Sequence, residues 1–463
     1  MNVLLVSPNI EYLPDPVFPI GLAYLAAALK KNGTPHRILD LCFEADYEHA
    51  IATAIAEFSP HVIGVSLRNL DNVGYPRYTA YLPFYRRVIA EIRNCAKGII
   101  VIGGSGFTLL PESVFAHLGA DFGIAGEGED AFIRLINDIE KNGPTHVPPD
   151  GRIIFGKPGI RANLDALPMA DRSGFDNAAY LQQGGMGNIQ TKRGCPFHCI
   201  YCTYPLIEGK SIRARSPERV CDEIEQLIEI GVHNLFIVDN EFNYPVNHAL
   251  SLCREIIKRQ LKIRWSCYAN PAFMTDELAA AMRNAGCTGV EFGCDAAEPG
   301  MLAALGKNFS VADIQQASRI CRNAGMAFCH SLLLGGPGET MDSVRRTCET
   351  IRDTDPTAVV CMAGIRVYPN TRMAQVAAEE GLVGSGEDYL NPVFYLSSGI
   401  KTEILSFIEA FSKDNPTWIF PGLQINMNEI LQKKLRRFGV RGPLWEQMKL
   451  AGRFAHVAKS SID

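Results

Sequence analysis

Over residues 1–140, short apolar runs alternate with stretches of helical periodicity, a pattern that predicts a parallel sheet covered by helices. Strands are expected at Val3–Val6, His36–Leu41, His61–Ser66 and Gly98–Ile102, with a short fifth at Phe122–Ile124. After the first strand and a proline-rich loop (Pro8 to Pro19), Leu22, Leu25, Ala26 and Leu29 fall at helical spacing in Gly21–Lys31, and Asn32-Gly33 stops the helix. From 141 to 186 the pattern loosens. Pro144, Pro148, Pro149, Pro158, Pro168 and the run QQGGMG mark a connector.

A second βα series follows over 187–375. Its strands are expected at Gly187–Thr191, Asn234–Val238, Arg264–Tyr268, Gly289–Gly293, Ala327–Leu334 and Ala358–Val367. Ser216-Pro217 opens one of the intervening helices, with Ser as N-cap and Pro at the first helical position. Six βα units closing part-way into a TIM-like barrel account for this stretch. Residues 376–463 read as a mostly helical tail. The expected fold is therefore α/β: a Rossmann-like doubly wound sheet, then a partial (β/α)6 barrel, then helices.

Glycines collect just after the first set of strands: Gly103, Gly104 and Gly106, then Gly126 and Gly128 in GEGE. At the carboxyl ends of parallel strands, glycine lets a backbone approach a ligand closely. Tight βα turns ask for the same residue, and GGSG does not fit the GxGxxG dinucleotide fingerprint.

Composition narrows the function classes. A chain of 463 residues splits into two or three domains. Hydrophobic residues at 47% and charged residues at 21% exclude a disordered chain. No run approaches the ~18–20 apolar residues of a membrane span. The start, MNVLLVSPN, lacks the features of a secretory signal, so a cytoplasmic protein is expected. A net charge of −5 gives no global reason to bind nucleic acid or anionic lipid. Fourteen cysteines are many for a reducing compartment. Eleven are scattered and read as small buried hydrophobes, whereas Cys195, Cys199 and Cys202 fall within eight residues.

Those three stand in TKRGCPFHCIYCTYP, directly after the first strand of the second series. Three thiolates on one short loop suit zinc or an iron–sulfur cluster. No second CxxC follows to complete a zinc site, and His198 directly precedes Cys199, which makes joint chelation awkward. CxxxCxxC with Tyr201 before the last cysteine, on a (βα)6-type series, resembles the radical S-adenosylmethionine (SAM) superfamily. The resemblance implies a [4Fe–4S] cluster on Cys195, Cys199 and Cys202, with SAM on the open iron and cleavage to a 5′-deoxyadenosyl radical. It assigns Tyr201, Asp239, Asn240, Glu241, Glu291 and Gly293 to SAM, the middle three from IVDNEFN and the last two from GVEFGCDA. LLLGGPGET and RVYPNT resemble the fifth- and sixth-strand ends of the same subgroup, and Thr340 is equally suited to capping the next helix. Arg213 and Arg215 in IRARSPE are typical of the subgroup, and a surface role suits them as well.

The N-terminal stretches PIGLAYLAAALKKNG, VIGGSGFTLLPE and IAGEGE resemble the cobalamin-binding domain of B12-dependent radical SAM proteins. The implied corrin contacts are Gly103, Gly104, Ser105, Phe107, Gly126 and Glu127. Carriers that ligate cobalt use Asp-x-His-x-x-Gly. Here Asp40-Leu41-Cys42-Phe43 has no His, which implies a lower face that is free or water-bound, or a domain turned to another ligand.

The implied activity is C-methylation at an unactivated carbon, with methylcobalamin as donor and an external electron donor of flavodoxin or ferredoxin type. The alternatives are cyclisation, ring rearrangement or oxidation without methyl transfer, and a non-enzymatic cobalamin or iron–sulfur sensor. Tyr204, Cys329, His330 and Tyr368 lie near strand ends and are the candidates beside the substrate, a small molecule, lipid or peptide. Lys433, Lys434, Arg436, Arg437 and Arg441 form a local basic stretch. It suits an anionic group or, more commonly, a solvated helix face.

Overall fold

The computed structural model describes residues 1–449 except 12–14, 144–150, 157–162, 385, 388 and 428. Of the connector prolines, Pro144, Pro148, Pro149 and Pro158 lie outside the described residues.

The first unit is a six-stranded parallel sheet. Its strands are β1 (Val3–Ser7), β2 (His36–Asp40), β3 (Val62–Ser66), β4 (Ile99–Gly103), β5 (Phe122–Gly126) and β6 (Ile153–Gly156), in the order β2-β1-β3-β4-β5-β6. The near-continuous apolar runs follow from burial on both faces. Leu4, Val6, Ile63, Val65, Ile100 and Ile102 face the helices Tyr47–Phe58, Leu82–Cys95 and Pro111–Leu118. Val3, Leu5, Val62 and Val101 face Ile20–Lys31 and Gly128–Asn142. Each such side chain contributes roughly 1.5–3 kcal/mol by leaving water. The sheet runs past residue 140: β6 lies inside the stretch read as connector and pairs with β5 from Gly123↔Ile153 to Gly126↔Gly156. Four residues with one apolar position fully covered gave too short a period to recognise.

The second unit is an open, seven-stranded parallel sheet. Its strands are β7 (Gly187–Ile189), β8 (Asn234–Ile237), β9 (Arg264–Ala269), β10 (Cys287–Asp295), β11 (Ala327–Leu334), β12 (Ala358–Ala363) and β13 (Trp418–Ile419), and they neighbour one another in chain order. The helices between them are capped as their sequences dictate. Ser216 accepts from the Arg219 amide at 3.3 Å, and Thr340 accepts from the Ser343 amide at 3.3 Å. Six of the strands match the expected series; β13 comes from the tail and pairs with β12 through Val359↔Trp418 and Val360↔Ile419. The tail also returns beneath the barrel. Leu444, Trp445 and Met448 pack with Cys329, Ala358 and Ile419. A Cβ on Gly289 would lie 2.7 Å from the Trp445 ring, so only glycine admits that ring against β10.

Candidate functional site

The carboxyl ends of the two sheets face each other across a cavity of about 470 Å³. Ser7, Ser66, Gly103 and Gly126, the last residues of β1, β3, β4 and β5, line one side; Tyr204, Phe236, Val238 and Tyr268 line the other. A parallel sheet places its ligand crevice at the strand ends where the order reverses, here beside β1 and β3.

The first sheet offers backbone. Gly103, Gly104, Ser105, Gly126 and Glu127 line the cavity. Gly104 has φ +95, and a Cβ there would lie 2.5 Å from the Leu67 carbonyl oxygen, so the turn into the crevice requires glycine. Beside Gly128 a Cβ would meet only Leu25, at 3.5 Å, which leaves open space for a flat ligand. Phe107 does not reach the cavity: its ring is fully buried and packs where a Gly123 side chain would otherwise stand. It is a core residue on the inner side of a short helix. Glu127 is committed to Arg213, with Nη1 donating at 3.0 Å, and faces Arg193 at 3.7 Å.

The second sheet offers side chains. The loop carrying Cys195, Cys199 and Cys202 follows β7 and is fixed by its backbone. The Cys195 amide donates to Gly209 at 3.0 Å, the Ile200 amide to Leu305 at 3.1 Å, and the Met373 amide to Ile200 at 2.9 Å. Burial pushes the Cys195 thiol up to about 11 and Cys202 to about 12, so a bound metal is what would make thiolates of them. His198 is exposed.

In the turn after β8, Asp239 is buried and already satisfied. It accepts from the Thr191 amide at 2.7 Å and from Lys192 Nζ at 2.8 Å, which makes it a pin for the cysteine loop. Its neighbours keep free acceptors. Asn240 Oδ1 and Glu241 Oε2 are buried without a partner, and burial raises the Glu241 carboxyl to about 8. Unpaired buried oxygens beside the cysteine loop suit a ligand ammonium group. On β10, Glu291 accepts from Trp445 Nε1 at 2.6 Å, and burial lifts it to about 7. No atom lies within 4 Å of where a Gly293 Cβ would stand, so that strand has room beside it.

Of the remaining candidates, Tyr204 lines the cavity and is 46% exposed. Cys329 sits below it against Trp445, and the Tyr368 ring lies 4.6 Å beneath the Arg366 guanidinium, outside the cavity. His330 is not brought to the site. Adjacent strand residues face opposite sides, and His330 is buried among helices, with Ser318 Oγ at 3.0 Å and Thr354 Oγ1 at 3.3 Å from Nε2. Desolvation lowers it to about 3, so it is a neutral core histidine.

Arg213 and Arg215 are buried rather than on the surface. Together with Arg193 they bridge the two units. Arg193 reaches Glu129 at 2.6 Å, and Arg215 reaches Glu223 at 2.7 Å and the Tyr24 hydroxyl at 3.2 Å. In the tail, Arg436 is likewise buried, bonded to Asp15 and to the Val440 and Gly442 carbonyls at 3.0 Å; Lys433, Lys434, Arg437 and Arg441 are exposed.

Sequence reasoning missed Tyr268, which is 40% exposed and stands edge-on to Phe236 at 5.0 Å. Alternation along β9 was the available signal, since Tyr268 is out of phase with the buried Trp265, Cys267 and Ala269. It also missed Lys307, whose Nζ lies 3.8 Å from Cys199 Sγ; nothing local in LGKNFS marks it.

Residues 7–136 match the B12 binding domain and residues 189–351 match the Radical SAM superfamily. The chain is similar to tryptophan 2-C-methyltransferase of Streptomyces laurentii, at 28% identity over 82% of this chain and 75% of that one. An uncharacterized methyltransferase of Pyrococcus horikoshii is 27% identical over 83% and 84%. Among solved structures, the radical SAM methyltransferase TsrM of Kitasatospora setae, with cobalamin and a [4Fe-4S] cluster bound, superposes with a TM-score of 0.86 over 99% of both chains at 25% identity.

Proposed function

We propose that this chain, a radical SAM protein that also carries a B12 binding domain, is a cobalamin-dependent C-methyltransferase. The observation that carries this reading is the shared cavity: the glycine-lined strand ends of one sheet share it with Arg193, Tyr204 and Glu208, which flank the cysteine loop of the other. When bound, the cluster and SAM supply one-electron cleavage, and cobalamin carries the methyl group.

The residues present fit those groups. Cys195, Cys199 and Cys202 would hold the cluster, and the free oxygens of Asn240 and Glu241 would take the amino group of SAM. Gly103, Gly104, Ser105 and Gly126 would let a corrin approach the backbone. Glu127, Arg193 and Arg213 orient the two halves rather than contact the reacting atoms. Phe236, Val238 and the two exposed tyrosines form a largely apolar wall that suits a planar substrate. An indole such as tryptophan is the first substrate to assay, given the Streptomyces relative.

Residues 1–156 would form the corrin half, 187–375 the cluster half, and the tail would close the barrel beneath the substrate. An external donor of flavodoxin or ferredoxin type would supply electrons in a reducing, cytoplasmic setting. No helix among the described residues is long and apolar enough to cross a membrane.

The test is protein isolated anaerobically from cobalamin-fed cells and assayed with labelled SAM. A corrin band with iron–sulfur absorbance and a methylated product are expected. S-adenosylhomocysteine with 5′-deoxyadenosine marks radical methylation, and S-adenosylhomocysteine alone marks methyl transfer without hydrogen abstraction. Deoxyadenosine with an unmethylated product would overturn methyl transfer in favour of cyclisation or oxidation. Absence of SAM cleavage and product alike would leave a sensor.

A further inference from the structure

The segment after the helix Pro299–Ala304 passes directly under the cysteine loop. Leu305 accepts from the Ile200 amide at 3.1 Å. Gly306 has φ +71, and a Cβ there would lie 2.6 Å from the His198 carbonyl oxygen, so only glycine allows this approach. The next residue is Lys307. Its side chain is 5% exposed, and a buried ammonium persists only when its three protons are satisfied.

Three acceptors surround it. One is the Asp295 carboxylate, another is the Tyr201 hydroxyl oxygen at 3.2 Å, and the third is Cys199 Sγ at 3.8 Å. The Tyr201 hydroxyl donates its hydrogen bond to Asp295, so its oxygen is free to accept from the lysine. The Phe309 and Tyr201 rings close the sides, with centroids 5.4 Å and 5.8 Å from Nζ. Asp295 is turned toward Lys307 by an irregularity at the end of β10, where the register shifts and a non-glycine residue takes φ +63. The Cys195 and Cys202 sulfurs face the backbone amides of Phe197 and Tyr204 instead. Cys199 is thus the ligand beside a full positive charge.

We propose that Lys307, held by Asp295 and Tyr201, sets the reduction potential of the cluster through its contact with Cys199. The inference rests on the reading above that the three cysteines hold a [4Fe–4S] cluster. One-electron reduction, with the electron coming from an external flavodoxin-type donor, adds a negative charge to the cluster and changes no bond. A cation donating to a ligand sulfur favours that reduced state, so the potential rises. Lys307 is on this account a positioning and tuning residue, not a catalytic one.

The experiment is an EPR-monitored redox titration of the anaerobically reconstituted full-length holoenzyme without SAM, using mediators and dithionite. Lys307→Met is expected to move the midpoint negative, so that the reduced-cluster signal at a fixed potential falls severalfold. Lys307→Arg should stay near the wild type. Asp295→Asn, which removes the opposing carboxylate, should move the midpoint positive. These opposite signs are what a merely structural role would not produce. An unchanged midpoint in Lys307→Met with intact iron content would overturn the proposal, and so would a loss of SAM affinity at unchanged potential. If Lys307→Met fails to load iron, Asp295→Asn decides alone, and an unmoved midpoint there overturns it. A wild-type protein that assembles no cluster would overturn both this inference and the functional reading on which it rests.

Discussion

The two sheets meet at their carboxyl ends, yet they present different chemistry there. The first offers backbone at Gly103, Gly104 and Gly126 and open space beside Gly128. The second offers a crowded set of side chains: three thiols, the free oxygens of Asn240 and Glu241, and the Lys307–Asp295 pair. A face that positions a large preformed cofactor needs shape. A face that assembles a metal cluster needs ligands, and every ligand needs a neighbour to orient it.

If that contrast is right, damage on one side should leave the other intact. Cys199→Ser has the largest expected effect, with iron content and iron–sulfur absorbance lost while the corrin band stays. Gly128→Trp would fill the open space on the glycine side and is expected to cut bound corrin at least tenfold (on the order of 1.4 kcal/mol or more) with iron unchanged. Loss of both cofactors in either variant would mean that the faces are one cooperative site.

Between the two faces, Arg215→Met would leave Glu223, whose side chain is 2% exposed, as an unpaired buried charge. A destabilisation of about 3–5 kcal/mol is expected by urea titration. Arg254→Met, in a pair exposed at 66% and 68%, should cost about 0–1 kcal/mol. His330 gives a pH-dependent effect smaller than that of Arg215. Its folded value is lowered to about 3, so below about 6.5 only the unfolded chain takes up its proton, and stability falls with pH by about 1.4 kcal/mol per unit. His330→Gln should remove that part of the slope between pH 6.5 and 5, visible as a flatter plot of urea midpoint against pH. A change in the pH profile of turnover instead would mean that His330 reaches the chemistry. The smallest effect belongs to Lys434→Ala with Arg437→Ala on the exposed helix face. Stability should shift by less than about 0.5 kcal/mol, and substrate KM at low salt should not change.

The same contrast explains what could be read in advance. The cysteine loop was legible because three like residues at fixed spacing are rare, and the strands of both sheets because burial on two faces leaves unbroken apolar runs. Phe107 lies in the core although its neighbours Gly104 and Ser105 line the crevice, because two residues along a helix turn a side chain by about 200° to the opposite face. His330 and Cys329 are neighbours in sequence but face opposite sides of their strand, a difference that proximity to a strand end does not reveal. Lys307 was out of reach, since its partners Cys199, Tyr201 and Asp295 come from two other elements and meet it only in the folded chain.

The return of the tail beneath the barrel has a consequence for how the molecule is made. Thr288 donates to Glu446 across 158 residues of chain, and Trp445 seats against Gly289 and Glu291. A chain emerging from the ribosome therefore holds a complete first sheet and most of the second while the floor of the barrel is still open. Until the Leu444–Met448 segment arrives, Cys329, Ala358 and Ile419 remain exposed apolar surface, a target for chaperones and a site of misassembly. Assembly of the metal centre before Leu444, Trp445 and Met448 dock would take place in an unsealed barrel.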